Sequence, residues 1–312
     1  MRLRHPTGRI VHLGYEITPR PARRVAQVIA QLDTYAAVRT MIGADSLGVS
    51  LWLPPALAAA LATGARIRTR LRAELDARRL EVVTLSGLSF DEENGSPFAE
   101  GGGEQLFWDE PARREYTLDL ARVLVDLLPD ETVRGAVNTI GLAPKDHWDE
   151  ETAKTGTGIL RRLSGGLADI AWQTGRAVRV GFHTASGYAL DSPEETVAAL
   201  ARIDKDRLGV RLDLDHVTRT WDDPVAGLET LFDAGLSIIE VRLTAAPGPR
   251  LDAWRAALAM LLGPDGPRTE YLTLARHVDD PSAEQIASDL AYLRAELAAL
   301  GLAPENEPCA AR

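Results

Sequence analysis

The chain has 312 residues, of which 45% are hydrophobic and 5% aromatic, enough apolar material for one large core and too much for a disordered or fibrous segment. Lys and Arg total 35 against 45 for Asp and Glu, and the formal charge of -10 argues against a nucleic-acid partner. The single cysteine, Cys309, excludes an intramolecular disulfide and a cysteine metal cluster. No run approaches the roughly 20 apolar residues that span a bilayer, and the basic N-terminus lacks an apolar signal core, so the expected setting is cytoplasmic with no membrane span.

Two periodicities alternate along the chain. An apolar run at Ile10–Leu13 precedes a helical pattern over 23–35, and a second at Leu47–Leu51 precedes patterns over 55–62 and 66–78. The third run, Leu80–Leu85, leads into a long connection from Ser86 to Glu110 and then a helix over 112–128. That connection contains Asp91, Glu92 and Glu93 and reads either as a cover for a site or as a solvated loop. Five further runs, Gly135–Ile140, Ala177–Phe182, Leu208–Leu212, Ser237–Leu243 and Tyr271–Ala275, alternate with helical patterns over 152–173, 194–201, 224–232, 251–262 and 282–300. Pro193, Pro224 and Pro281 open helices after strands, and Ser192 with two following glutamates suits a helix start.

Eight strand-plus-helix units predict parallel pairing, closed as a (β/α)8 TIM barrel over residues 1–312 with a poorly ordered tail from about residue 303. The rival, an open doubly wound sheet, lacks any GxGxxG or GxxxxGK turn for a nucleotide phosphate. Gly101–Gly103 and Gly165–Gly166 read as structural.

In such a barrel the site lies at the C-terminal ends of the strands. The strongest cluster there is Leu212-Asp213-Leu214-Asp215-His216: alternation puts Asp213 and Asp215 on one side if the strand continues, with His216 opening the turn. Either the three converge on an ion, or an aspartate caps the next segment and the histidine binds a loop carbonyl. His183 ends the preceding strand, one strand away, and suits a metal ligand or a base. His12 ends the first run, with Glu16 four residues on. Glu240 shares a strand face with Ile238 and Arg242, and a buried glutamate and arginine need each other or another polar partner. Lys145 and His147 stand beside Trp148, a candidate wall for an organic ligand. No nucleophile elbow or HExxH helix is present.

These segments resemble the xylose-isomerase-like barrel proteins, and within them the EboE-like metabolite traffic proteins, over about residues 8–300. The likeness rests on Ile10-Val11-His12, Val83-Thr84-Leu85-Ser86-Gly87, the block from Trp108 to Pro129, Val137-Asn138-Thr139-Ile140, and the block from Leu212 to Pro224. It implies a TIM barrel of secondary metabolism, sugar-phosphate isomerase/epimerase-like, with a divalent metal held by glutamate, aspartate and histidine at the strand ends. Carried over by position, Asp213 and His216 match the sixth-strand aspartate and histidine, and His12 matches an early histidine.

The departures are as telling. Where the resemblance implies a Glu-Pro-Glu-Pro run, this chain reads His183-Thr184-Ala185-Ser186-Gly187, and the last unit reads Leu272-Thr273-Leu274-Ala275 where a glutamate is expected. Losing oxygen ligands weakens a magnesium or manganese site, while His183 suits zinc or iron. Two readings follow. In the first, Asp213, His216, His183 and His12 hold Zn, Fe or Mn, and Glu240, Asp215 or His183 moves a proton in an isomerase, epimerase or lyase reaction on a small polar metabolite. In the second, the barrel is catalytically degenerate, without a metal, and binds a metabolite or a pathway protein partner in biosynthesis or transport.

Overall fold

The structure, a computed structural model, describes residues 1–17, 22, 24–87, 106–245, 248–276 and 281–305. Eight parallel strands stand where the apolar runs predict them: β2 (Ile10–Glu16), β3 (Leu47–Trp52), β4 (Leu80–Gly87), β5 (Arg134–Thr139), β6 (Ala177–His183), β7 (Leu208–Asp213), β8 (Ile238–Leu243) and β9 (Tyr271–Leu274). They pair in sequence order, and β9 pairs back onto β2, with Tyr15 opposite Leu274, so the sheet closes and the open rival is excluded. A hairpin partner unseen in the periodicity, β1 (Arg2–Arg4), runs antiparallel to β2, and β10 (Ala303–Pro304) pairs with β1. The tail therefore joins the sheet at residue 303, and residues 306–312 lie outside the described residues.

The helices surround the sheet: α1 (Val25–Met41), α2 (Pro55–Thr63), α3 (Ala65–Ala77), α4 (Pro111–Leu127), α5 (Glu150–Thr174), α6 (Pro193–Leu200), α7 (Leu214–Thr220), α8 (Pro224–Asp233), α9 (Leu251–Leu261) and α10 (Ala283–Ala299). At α6, Ser192 caps the helix as the sequence predicts, with Pro193 in the first turn, and Glu195 returns the bond to complete a reciprocal cap. Gly166 lies mid-helix in α5 because a β-carbon there would sit 2.8 Å from Leu118 of α4, so the glycine permits close helix approach. None of the described helices is long and apolar enough to cross a membrane.

Strand period two divides the side chains between two environments. Outward residues such as Leu51, Leu85, Val137, Val180, Leu212 and Val241 are buried in one apolar cluster with Leu61, Leu124, Leu163, Leu228 and Leu258 of the helices. The inward set is polar towards the C-terminal end. Register matches Glu16 with Ser50, Ser86 with Asn138, His183 with Arg211, Arg211 with Glu240, and Asp213 with Arg242. Hydrophobic burial on the outside thus fixes which way each polar residue points.

Candidate functional site

Arg211 lies at the centre of the lumen, fully buried. Its Nε donates to Glu240 Oε1 at 3.1 Å, one terminal nitrogen donates to His183 Nδ1 at 3.1 Å, and the other to Glu16 Oε2. Asn138 Nδ2 donates to Glu240 Oε2 at 2.8 Å. The pairs Arg211–Glu16 and Asn138–Glu240 join strands that are not neighbours, so these side chains cross the lumen and form its floor. Gly181 on β6 makes this possible: a β-carbon there would come 3.1 Å from Arg211 Cβ.

Nearer the mouth, Arg242 Nη1 donates to Asp213 Oδ2 at 2.8 Å, and Arg242 Nε stands 3.8 Å from Glu16 Oε2. Asp213 ends β7 and is also the N-cap of α7, its Oδ1 accepting from the backbone of Asp215 and His216 at 3.1 Å each. The side chains of Glu16, Asp213 and Arg242 each keep 9% exposure while Arg211 and Glu240 keep none, so these three form the less deeply buried layer above a sealed floor.

Charge on this scale must be paired. Burial opposes ionisation of Asp213, yet Arg242, His183 and the helix-start amides hold its carboxyl well below the usual range. Burial likewise opposes charge on Arg211, but Glu16 and Glu240 raise its pKa. Burial raises the pKa of Glu240 against the opposing pull of Arg211 and Asn138. His183 is pushed well below its ordinary value by burial and then by Arg211. Arginine only donates, so Nδ1 of this neutral ring is the acceptor and Nε2 carries the proton. That N–H faces Asp213 Oδ2 at 3.7 Å.

The residues predicted for one ion therefore separate into three places. Asp213 and His183 come together in the lumen. His216 lies in α7 and faces the β6–α6 connection instead, with Nε2 at 3.3 Å from the Asp191 carbonyl oxygen and 3.4 Å from its carboxylate. His12 does not end its strand: β2 runs three residues beyond Leu13, which puts His12 towards the N-terminal end, stacked on Tyr271 and opposite Arg2. Burial, then the chain's amino group and Arg2, lower its pKa to about 4. Asp215 is not on the Asp213 side either, since the strand stops at Asp213, and it pairs with Arg219 at 3.1 Å within α7. Lys145 bridges Asp191 and Glu195, and His147 meets Asp109 at 3.0 Å. Gly101–Gly103 and Asp91–Glu93 lie outside the described residues.

Glu240 and Arg242 share the lumen face as alternation predicts, but each takes another partner, Arg211 and Asp213 respectively. Arg211 is the residue that sequence reasoning misses. Its signal was present in Arg211-Leu212-Asp213, where the same alternation that aims Asp213 inwards also aims Arg211 inwards.

No protein-family model matches the chain, and neither does any curated protein. Solved structures do. D-psicose 3-epimerase with D-tagatose from Clostridium cellulolyticum H10 superposes with a TM-score of 0.60 at 15% identity, covering 91% of this chain and 99% of that one. A xylose isomerase-like TIM barrel protein from Mycobacterium smegmatis in complex with magnesium gives 0.53 at 19% identity, over 95% and 94%. IolI protein with a binding zinc atom gives 0.57 at 14% identity, over 92% and 98%. The chain has the xylose-isomerase-like TIM-barrel fold.

A xylose-isomerase-like barrel invites the question of a divalent metal, and the donor set here does not fit one. Among the described residues no group of three or more His, Cys, Asp or Glu stands close enough to hold an ion. The His183 nitrogen facing Asp213 carries a proton, and its other nitrogen accepts from Arg211. Asp213 spends one oxygen on backbone amides and the other on Arg242. A doubly charged ion about 4 Å from that guanidinium would meet a repulsion of about 8 kcal/mol at an effective dielectric constant of about 20.

Proposed function

We propose that this chain is a metabolite-binding barrel that takes a small polar organic molecule at the C-terminal mouth, on a layer of fixed, paired charges. The observation that carries the reading is the cross-lumen network, which leaves Glu16, Asp213 and Arg242 as its less deeply buried rim. A carboxylate and a guanidinium held side by side present an acceptor edge and a donor edge, and a hydroxylated carbonyl compound offers the complementary groups. Glu16 is held by Arg211 beneath it and Arg242 by Asp213 beside it, so little ordering is lost on binding. The keto sugars named with similar barrels, D-tagatose among them, are the first probes of that chemistry.

Isomerase, epimerase or lyase chemistry is the second reading, favoured by the epimerases among the structurally similar proteins. The binding reading is preferred because each proton carrier named from the sequence is already committed. Glu240 is clamped by Arg211 and Asn138, Asp215 pairs with Arg219, and His183 is fixed as a donor towards Asp213.

Calorimetric titration with D-tagatose and D-fructose in chelator-treated buffer tests the proposal. The expectation is saturable binding that weakens by about tenfold or more in Arg242→Met and Glu16→Gln, as loss of a charge-assisted hydrogen bond implies. Absence of binding to either sugar, or binding indifferent to both substitutions, would count against the mouth as a site for such compounds. Conversion of a bound sugar followed by NMR would establish the second reading.

A further inference from the structure

We propose that the Arg242 guanidinium is the resident cation of this barrel, lodged between Asp213 and Glu16 in the place a divalent ion would need, so that the mouth works without a metal and opens to one when the guanidinium is removed. Two contacts converge on this. Arg242 Nη1 takes the Asp213 Oδ2 atom at 2.8 Å, and its Nε lies 3.8 Å from Glu16 Oε2, so one cation already serves two carboxylates that approach from β7 and β2. A divalent ion bound by carboxylates sits at about 2.0–2.6 Å from their oxygens, within the volume the guanidinium fills.

The surroundings are also set for a guanidinium. His183, whose Nε2 faces Asp213, is held by Arg211 in the tautomer that donates at Nε2, which supports a carboxylate already bound to Arg242 and offers an ion no lone pair. Arg211 beneath supplies a second fixed cation to Glu16 and Glu240, so two guanidiniums stand among the three carboxylates Glu16, Asp213 and Glu240. A guanidinium is a delocalised, weakly hydrated cation, suited to an interior ion pair. The mouth thus has a fixed positive charge able to stabilise negative charge on a ligand oxygen, the role a Lewis-acidic ion plays elsewhere.

The test uses metal alone and needs no metabolite, so its outcome is separate from the ligand reading above. Wild-type protein, stripped with chelator and titrated with MnCl2 and with ZnCl2, is followed by calorimetry and elemental analysis. The expected result is no stoichiometric ion in wild type or in Arg242→Lys, which keeps the charge. Arg242→Gln leaves Asp213 Oδ2 without its guanidinium and Glu16 with Arg211 alone, and is expected to gain one ion per chain, with at least about tenfold tighter uptake than wild type. Adding Asp213→Asn to it abolishes the gain. Arg242→Ala, checked with the others for native circular dichroism, gives the same gain without adding a ligand and covers failure of the glutamine variant to fold. A stoichiometric ion in wild type that is lost in Asp213→Asn overturns the proposal. So does a folded Arg242→Gln or Arg242→Ala that takes up neither metal.

Discussion

Both ends of the barrel are furnished with arginines and carboxylates, yet they use them differently. At the N-terminal end Arg2 reaches Glu131, Glu81 and Glu305, and Arg134 meets Glu270 at 3.2 Å, with side-chain exposures from 19% to 61%. At the mouth the corresponding exposures are 0% to 9%. Water screens the first set, where a pair contributes about 0–1 kcal/mol. In the second set each ion depends on its neighbours, and removing one partner costs about 3–5 kcal/mol because the other stays buried and uncompensated. The same residue types thus keep the lower end hydrated and make the upper end a shaped site.

The strongest way to break this contrast is Arg211→Met. It strands Glu16 and Glu240 and frees the His183 ring from its donor, and is expected to lower unfolding free energy by about 3–5 kcal/mol. Adding Glu240→Gln recovers part of that loss. Urea unfolding of the two variants measures it, and a loss below about 1 kcal/mol for the single variant would place the floor in the same class as the surface pairs. Asp213→Asn comes next, at about 2–3 kcal/mol, since asparagine keeps the helix cap but not the pair with Arg242. Its pH signature has a definite sign. The Asp213 pKa is depressed in the fold, so its contribution is complete above the unfolded value of about 3.9 and is lost as pH falls towards the folded one. Wild type should therefore lose stability between about pH 4 and pH 2 more steeply than Asp213→Asn.

The barrel was legible in the sequence because outward-facing Val, Ile and Leu repeat in every strand, and burying them leaves few alternatives. Strand ends were less legible. Continuing β7 past Asp213 would have kept Asp215 beside it, but the Asp213 side chain caps α7 instead, and that one carboxylate turns the chain from strand to helix. Stopping the first strand at Leu13 misplaced His12, because Gly14-Tyr15-Glu16 lacks the apolar run by which strands are found, although Tyr15 is buried outwards and Glu16 points into the lumen. Partner choice was not legible at all. Alternation puts Glu240 and Arg242 on one face, but which arginine meets which carboxylate depends on the positions of β2, β7 and β8 around a closed ring.

Two histidines, one at each end, sharpen the comparison with an effect of about 2 kcal/mol. His183 and His12 both have folded pKa values below the unfolded value of about 6.5, with His12 at about 4. Below about pH 6.5 the unfolded chain binds protons that the fold refuses, so each costs stability as pH drops, approaching about 1.4 kcal/mol per pH unit. For His12 that loss ends near its folded value of about 4. Thermal unfolding at pH 7 and pH 5 should show a flatter dependence in His183→Asn and in His12→Phe than in wild type. Flattening in His183→Asn alone would mean that water reaches His12 beneath the barrel and that the two ends differ in histidine hydration as well as in ion pairs.

The smallest effect is expected from Arg134→Ala at the N-terminal end. Arg134 is 61% exposed and its partner Glu270 22%, so removing the guanidinium leaves a carboxylate that water can solvate. The expected change is below about 0.5 kcal/mol, and it should shrink further in high salt, where exposed charges are screened beyond a few ångströms. Arg211→Met, measured in the same salt series, should keep its cost, because ions and water do not reach a side chain with no exposure. If both variants responded to salt alike, burial would not be what separates the two ends, and the mouth network would have to be treated as hydrated, with Arg242 free to leave Asp213 when a ligand or an ion arrives.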